Sequence, residues 1–273
     1  MMPLPLVTTG WLADHLDDPA LKILDAGSYQ GGKNLAEFAI AHIPGAAPFD
    51  LENCRDKNTD LPNMLPAPEV FAEHVGKLGI GNDDSVVIYD AQGIFTSPRV
   101  WWMFRYFGHE KVAVLDGGLP KWRAEKRKIN SGQSQITEKE FTARPNPALL
   151  RDYDQIAANI KSCAAQLIDA RSVERFQGKA PEPRPNLPSG HIPGSCNLPF
   201  SAMLRDDQTF KNPAELRQIF AKTGVDLEKP VIMSCGSGIT ACIPALGLAV
   251  LGKFVAPIYD GAWSEWGAKI NKH

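Results

Sequence analysis

At 273 residues the chain is too long for a small fold stapled by disulfides or a metal, and long enough for two compact domains or one large one. Hydrophobic residues make up 44% and charged residues 22%, which excludes disorder and a fibrous repeat. Lys and Arg number 29 against 31 Asp and Glu, so a net charge of −2 leaves no global positive field to hold nucleic acid or an acidic membrane surface.

Residues 1–6 are apolar but are broken by Pro3 and Pro5 and lack a basic flank, so they do not read as a signal peptide. No later stretch approaches a membrane span. The first strand-like run is KILDAG at 22–27, and AHIPGA follows around His42. SVVIYD at 85–90 leads into an amphipathic stretch at 99–107, and KVAVLDGG at 111–118 leads into LPKW. Between 123 and 151 the composition turns to Lys, Glu, Gln, Ser and Pro with little periodicity, the character of a connection.

Beyond that connection the order repeats. LDAGS at 24–28 returns as IDARS at 168–172, AHIPGA returns as GHIPGS around His191, and LDGGLPKW at 115–122 returns as YDGAWSEW at 259–266. The offsets are 144, 149 and 144 positions, so the chain is a tandem duplication. Each copy alternates short aliphatic runs with amphipathic stretches, which predicts an α/β fold in which a parallel sheet carries helices on both faces. The expected division is 1–124 for the first domain, 125–151 for the linker and 152–273 for the second domain.

In such sheets ligands bind beyond the carboxyl ends of the strands. Aligning the copies there places Asp90 opposite Cys235, so one copy offers a carboxylate and the other a thiol. The second copy is therefore expected to be catalytic and the first not. Cys235 opens CGSGIT, in which Gly236 and Gly238 bracket Ser237 and an apolar run follows. Converging backbone N–H groups and a helix N-terminus stabilise an anion. A free thiol has a pKa of roughly 8.5, which such surroundings lower, so Cys235 is expected to be nucleophilic at neutral pH. Pro244 requires the helix to start late.

The other cysteines, Cys54, Cys163, Cys196 and Cys242, lack this setting and read as structural. Five dispersed cysteines without CxxC or zinc spacing predict reduced thiols in a cytoplasmic protein, with no metal and no organic cofactor. A phosphatase loop would close with an arginine to clamp phosphoryl oxygens. Here position 241 is Ala, and no Arg lies between 235 and 251.

The paired HIPG motifs, CGSGIT, the DGG and DGA turns each followed by Trp, and RVWWMFRYFGH at 99–109 together resemble the two-domain rhodanese family of sulfurtransferases, nearly end to end. The resemblance implies two tandem rhodanese-like domains. Within that family CRKG(V)T loops are typical of thiosulfate sulfurtransferases and CGSG(V/I)T of 3-mercaptopyruvate sulfurtransferases; this chain has the second form. It thus implies transfer of sulfur from 3-mercaptopyruvate through a Cys235 persulfide to a thiol, a thioredoxin-like protein or cyanide. A thiosulfate sulfurtransferase and a non-catalytic rhodanese-like binding module are the alternatives.

Physical chemistry points to the same branch. Thiosulfate, a dianion, suits cations beside the nucleophile, and Gly236 and Ser237 supply none; a planar 2-oxo acid carboxylate suits arginine clamps. By the resemblance, Arg175 in ERF and Arg184 in PEPR hold the substrate, Ser237 donates or relays a proton, and Gly236, Gly238, Ile239 and Thr240 contribute backbone groups. The family's relay would use His42. Its carboxylate, about a dozen residues upstream, falls here at Gly31, Gly32 and Lys33, and the equivalence of His42 with His191 favours a structural ring for both. Asp25, Asp116, Asp169 and Asp260 also recur in both copies and read as turn and cap residues.

Overall fold

The computed structural model describes residues 4–27 and 34–270, with the side chains of Asn34 and Leu35 left aside; Gly31, Gly32 and Lys33 therefore lie outside the described residues. The first copy builds β1 (Leu6–Val7), α1 (Thr9–Asp14), β2 (Leu21–Asp25), α2 (Asn34–Ile40), β3 (Ala46–Pro48), α3 (Pro68–Lys77), β4 (Ser85–Tyr89), α4 (Ser97–Tyr106), β5 (Val112–Leu115) and α5 (Gly118–Ala124). The second builds β6 (Leu150–Arg151), α6 (Tyr153–Ser162), β7 (Gln166–Asp169), α7 (Val173–Phe176), β8 (Cys196–Asn197), α8 (Pro213–Lys222), β9 (Val231–Ser234), α9 (Cys242–Val250), β10 (Ile258–Tyr259) and α10 (Ala262–Ile270).

Each copy forms one parallel five-stranded sheet, β1-β5-β4-β2-β3 in the first and β6-β10-β9-β7-β8 in the second. The matching orders restate the duplication in three dimensions. The central strands β4 and β9 are buried almost throughout, as parallel strands covered on both faces must be. The aliphatic runs KILDAG, SVVIYD and KVAVLDGG become β2, β4 and β5, and their counterparts in the second copy, QLIDAR, PVIMSCG and APIYDG, become β7, β9 and β10. The short edge strands β1, β3, β6 and β8 have only two or three residues and carried no readable alternation.

The chain divides into two compact units, one of residues 1–56, 65–146 and 205–210, the other of 57–64, 147–204 and 211–273. The expected linker is not loose. Within the first unit Lys139 N donates to Gly76 O, Arg144 N to Phe107 O and Asn146 N to Tyr106 O, Lys139 Nζ pairs with Asp84, and Phe141 is buried against Phe71 and Phe104. Low periodicity there reflects a strap held by backbone hydrogen bonds and one aromatic anchor. Residues 147–151 already belong to the second unit, as a 3₁₀ turn and β6.

One buried carboxyl has a consequence for stability. Asp25, 5% exposed at the end of β2, has its pKa raised from 3.8 to about 6 by burial, against hydrogen bonds from Gly27 N and Tyr89. Between those values the native state keeps a proton that the unfolded chain has lost, so the group's contribution is full below about pH 4 and is lost as pH rises through about 6. The difference is about 3 kcal/mol. Melting curves of the wild type and Asp25→Asn from pH 4 to 7 should therefore diverge, with the wild type losing stability relative to the variant; parallel curves would contradict this.

Candidate active site

β9 ends at Ser234, Cys235 follows, and residues 236–241 turn into α9. The helix begins at Cys242, which leaves Pro244 in its first turn, where a missing N–H costs nothing. From Cys242 through Ala249 every residue is buried, as expected for a helix apolar all round. Gly238 has φ +78°, the left-handed region in which a side chain is strained. Cys235 is 1% exposed and Ser237 6%; Gly236, Gly238 and Ile239 are buried, and Thr240 is half-buried.

Several neighbours grip the loop. Trp263 N donates to Cys235 O at 3.0 Å, and Ser264 donates to Gly236 O through both N (3.0 Å) and Oγ (2.6 Å). A trans peptide points its N–H opposite to its C=O. Tying the carbonyls of 235 and 236 to the start of α10 therefore aims the N–H groups of Gly236 and Ser237 away from α10. On the other side, Asn63 Nδ2 donates to Ser237 O at 3.0 Å, and Cys242 Sγ donates to Gly238 O at 3.4 Å. Neither Ser264 nor Asn63 is marked in the sequence, because each acts on a backbone carbonyl and leaves no pattern of its own.

The first copy shows what this kind of loop holds. Asp90 occupies the place of Cys235: Leu119 N donates to Asp90 O at 3.1 Å as Trp263 N does to Cys235 O. Gly93, with φ +107°, matches Gly238. The Asp90 carboxylate is fully buried and accepts from Gln92 N, Phe95 N, Thr96 N, Ser97 N and Ser97 Oγ, at 2.6–3.0 Å. Such convergent amides are how a buried negative charge is compensated.

Beside the loop of the second unit lies a four-membered charge network. Arg171, fully buried, meets Asp169 through Nε and Nη2 (2.6–3.1 Å), Glu182 Oε1 through Nη1 (2.8 Å), and Gly190 O through Nη2 (2.8 Å). Its guanidinium lies 4.7 Å from the Trp263 ring centroid. Burial alone would push its pKa down, and the hydrogen bonds to Asp169 and the two carboxylate charges more than offset that. Glu182, with its side chain 2% exposed, then takes Arg175 Nε (3.2 Å) and Nη2 (2.5 Å). Two carboxylates balance two guanidiniums, as buried charges require.

Arg175, 24% exposed, is thereby laid against the loop. Its Nη2 stands 2.7 Å from where a Cβ on residue 236 would be, so glycine at 236 is what lets the guanidinium rest there. Glu182 occupies Nε and Nη2, which leaves the Nη1 edge of the fork for a planar anion. Arg184 is half-buried two residues after Glu182, in the segment that links α7 to β8. The structure thus joins Arg175 to CGSGIT and ties it to Asp169 through Arg171 and Glu182. Asp169 does accept the Arg171 N–H as a turn residue, but it is also the anchor of this network.

The two histidines behave alike. His42 Nδ1 lies 2.8 Å from Phe38 O with its ring stacked on Phe38, and His191 Nδ1 lies 2.8 Å from Phe176 O with its ring stacked on Phe176. These are the contacts of rings that fasten the entry to β3 and β8. Among the described residues no group of His, Cys, Asp and Glu is arranged to hold a metal.

Comparison with known proteins agrees with this geometry. The model of the Rhodanese-like domain matches residues 8–125 and 152–269. A human 3-mercaptopyruvate sulfurtransferase is 46% identical over 96% of this chain and 91% of its own length. An Arabidopsis thaliana mitochondrial thiosulfate/3-mercaptopyruvate sulfurtransferase is 45% identical over 97% of this chain and 76% of its own. The crystal structure of the Escherichia coli 3-mercaptopyruvate sulfotransferase SseA superposes with a TM-score of 0.87 at 41% identity, covering 96% of this chain and 100% of that one. With the duplicated parallel sheets, the cysteine loop between β9 and α9, and these matches in both copies, the chain belongs to the rhodanese family, with two rhodanese domains in tandem.

Proposed function

We propose that this protein is a 3-mercaptopyruvate sulfurtransferase in which Cys235 carries the sulfur. The observation that carries the reading is Arg175: its guanidinium lies against Gly236, at the edge of the loop that begins with Cys235, held there by Glu182. A guanidinium at the loop's outer edge, with no cation among the loop residues that follow Cys235, suits the planar carboxylate of a 2-oxo acid better than a compact dianion, which wants cations within the loop itself. Identity alone does not decide the donor, since relatives near 45% carry both donor names.

Cys235, as its thiolate, attacks the thiol sulfur of the donor. A new S–S bond forms, the carbon–sulfur bond breaks, and its electron pair passes to the carbon next to the carbonyl as the pyruvate enolate, which takes a proton to give pyruvate. Ser237 is our assigned proton donor or relay. Arg175 and Arg184 hold the carboxylate and carbonyl and stabilise the charge that grows on them. By the alignment of the two loops, the amides of Ser237 and Thr240 take the part that those of Gln92 and Phe95 take around Asp90, and the amides of Gly236, Gly238 and Ile239 are our further assigned donors to the outer sulfur. An acceptor thiol or cyanide then attacks the outer sulfur, the S–S bond breaks, and the Cys235 thiolate returns. The second domain is the catalytic one in this reading, the first is not, and His42 has a structural part only. All five cysteines are free thiols, and the setting we assign is reduced and cytoplasmic. No described helix is long and apolar enough to cross a membrane.

Specificity constants for 3-mercaptopyruvate and thiosulfate test the donor: we expect the former to be larger, and a larger value for thiosulfate would reject the assignment. Arg184→Ala should raise KM for 3-mercaptopyruvate by about tenfold, the worth of one charge-assisted contact, while thiosulfate use changes little. Equal effects on both donors would remove Arg184 from the oxo-acid clamp.

A further inference from the structure

The two copies can be matched atom for atom at their strand ends. Gly27 N donates to Asp25 Oδ1 (2.8 Å) as Arg171 N does to Asp169 Oδ1 (2.9 Å), and Leu119 stands where Trp263 stands. The stacked pairs Phe38–His42 and Phe176–His191 place Glu37 opposite Arg175. So the first copy keeps the buried aspartate, replaces the arginine that neutralises it with glycine, replaces the stacking tryptophan with leucine, and reverses the charge of the substrate-facing arginine.

Where the second copy packs the Arg171 guanidinium, the first copy has a cavity of about 490 Å³, lined by Asp25, Gly27, Glu37, Phe38, Leu119 and Arg123 among others. It lies at the carboxyl ends of β2 and β4, where open α/β sheets take ligands. We propose that this cavity binds a guanidinium group from solution, seated on the Asp25 carboxylate as the Arg171 guanidinium is seated on Asp169. Asp169 shows that an aspartate in this position meets a guanidinium through two nitrogens. Glu37 adds a second negative charge on the wall and repels the anions that Arg175 attracts in the other copy. Phe38 and Leu119 supply apolar surface for the methylenes of an arginine-like chain, and Arg123, exposed on the wall, suits a carboxylate at its far end. The chemistry is that of arginine, free or as a side chain.

Calorimetric titration with L-arginine and with N-acetyl-arginine amide tests this and separates the two sources: tighter binding of the former points to the free amino acid, of the latter to a polypeptide. The wild type should show saturable binding at one site, weakened at least tenfold in Asp25→Asn and several-fold in Glu37→Gln. Glu37 is exposed, so its variant keeps the test alive should Asp25→Asn misfold. No saturable binding of either probe, or unchanged affinity in both variants, would overturn the proposal. So would equal affinity for butylammonium, which carries the charge but not the fork.

Discussion

Cys235→Ser is expected to abolish sulfur transfer, lowering turnover with 3-mercaptopyruvate by about 10³-fold or more. Serine fits the same space but is not appreciably ionised at neutral pH, and its oxygen cannot carry a transferable sulfur. The first copy is a natural control, since its equivalent position is Asp90, whose carboxylate is saturated by four amides and a hydroxyl. Cys163→Ser, on an exposed thiol at the end of α6, should leave turnover unchanged. Steady-state assays of both variants decide the point, and substantial turnover by Cys235→Ser would remove this residue from the chemistry.

Glu182→Ala is expected to cost both stability and activity. The glutamate bridges Arg171 and Arg175; without it two guanidiniums share the single carboxylate of Asp169, one of them fully buried. Breaking a buried pair from one side costs about 3–5 kcal/mol, which for a unit of this size lowers the melting temperature by roughly 10 °C or more. Arg175 also loses the fork that lays it against Gly236, so KM for the donor should rise. Removing both partners together is the informative companion. Arg175→Met with Glu182→Leu leaves the Arg171–Asp169 pair intact and should recover most of the stability but none of the substrate binding. Calorimetric melts with KM measurements on the two variants check this, and equal stability of wild type and Glu182→Ala would show that the network is not energetically coupled.

Much of this architecture was legible because it was written twice. The acidic residues ending β2 and β7, and Asp90 and Cys235 that follow β4 and β9, could be aligned by their offsets, and the comparison of Asp90 with Cys235 located the loop from the sequence alone. Pro244 marked the late start of α9 because a proline tolerates only a first turn. What stayed hidden depends on contacts between segments that share no motif. Glu182 sits in a stretch of prolines that looks like loop, and only its reach to two arginines reveals its role. Asn63 and Ser264 act through backbone carbonyls, which carry no side-chain signature. The strap at 125–146 has no periodicity because hydrogen bonds along its backbone, rather than an apolar face, hold it to the first unit.

The most direct test is the mass of the protein after one equivalent of 3-mercaptopyruvate in the absence of acceptor. The intact chain should gain the mass of one sulfur atom, peptide mapping should place it on Cys235, and cyanide should remove it with formation of thiocyanate. Pyruvate released without any added sulfur on Cys235, or sulfur found on another cysteine, would contradict the account.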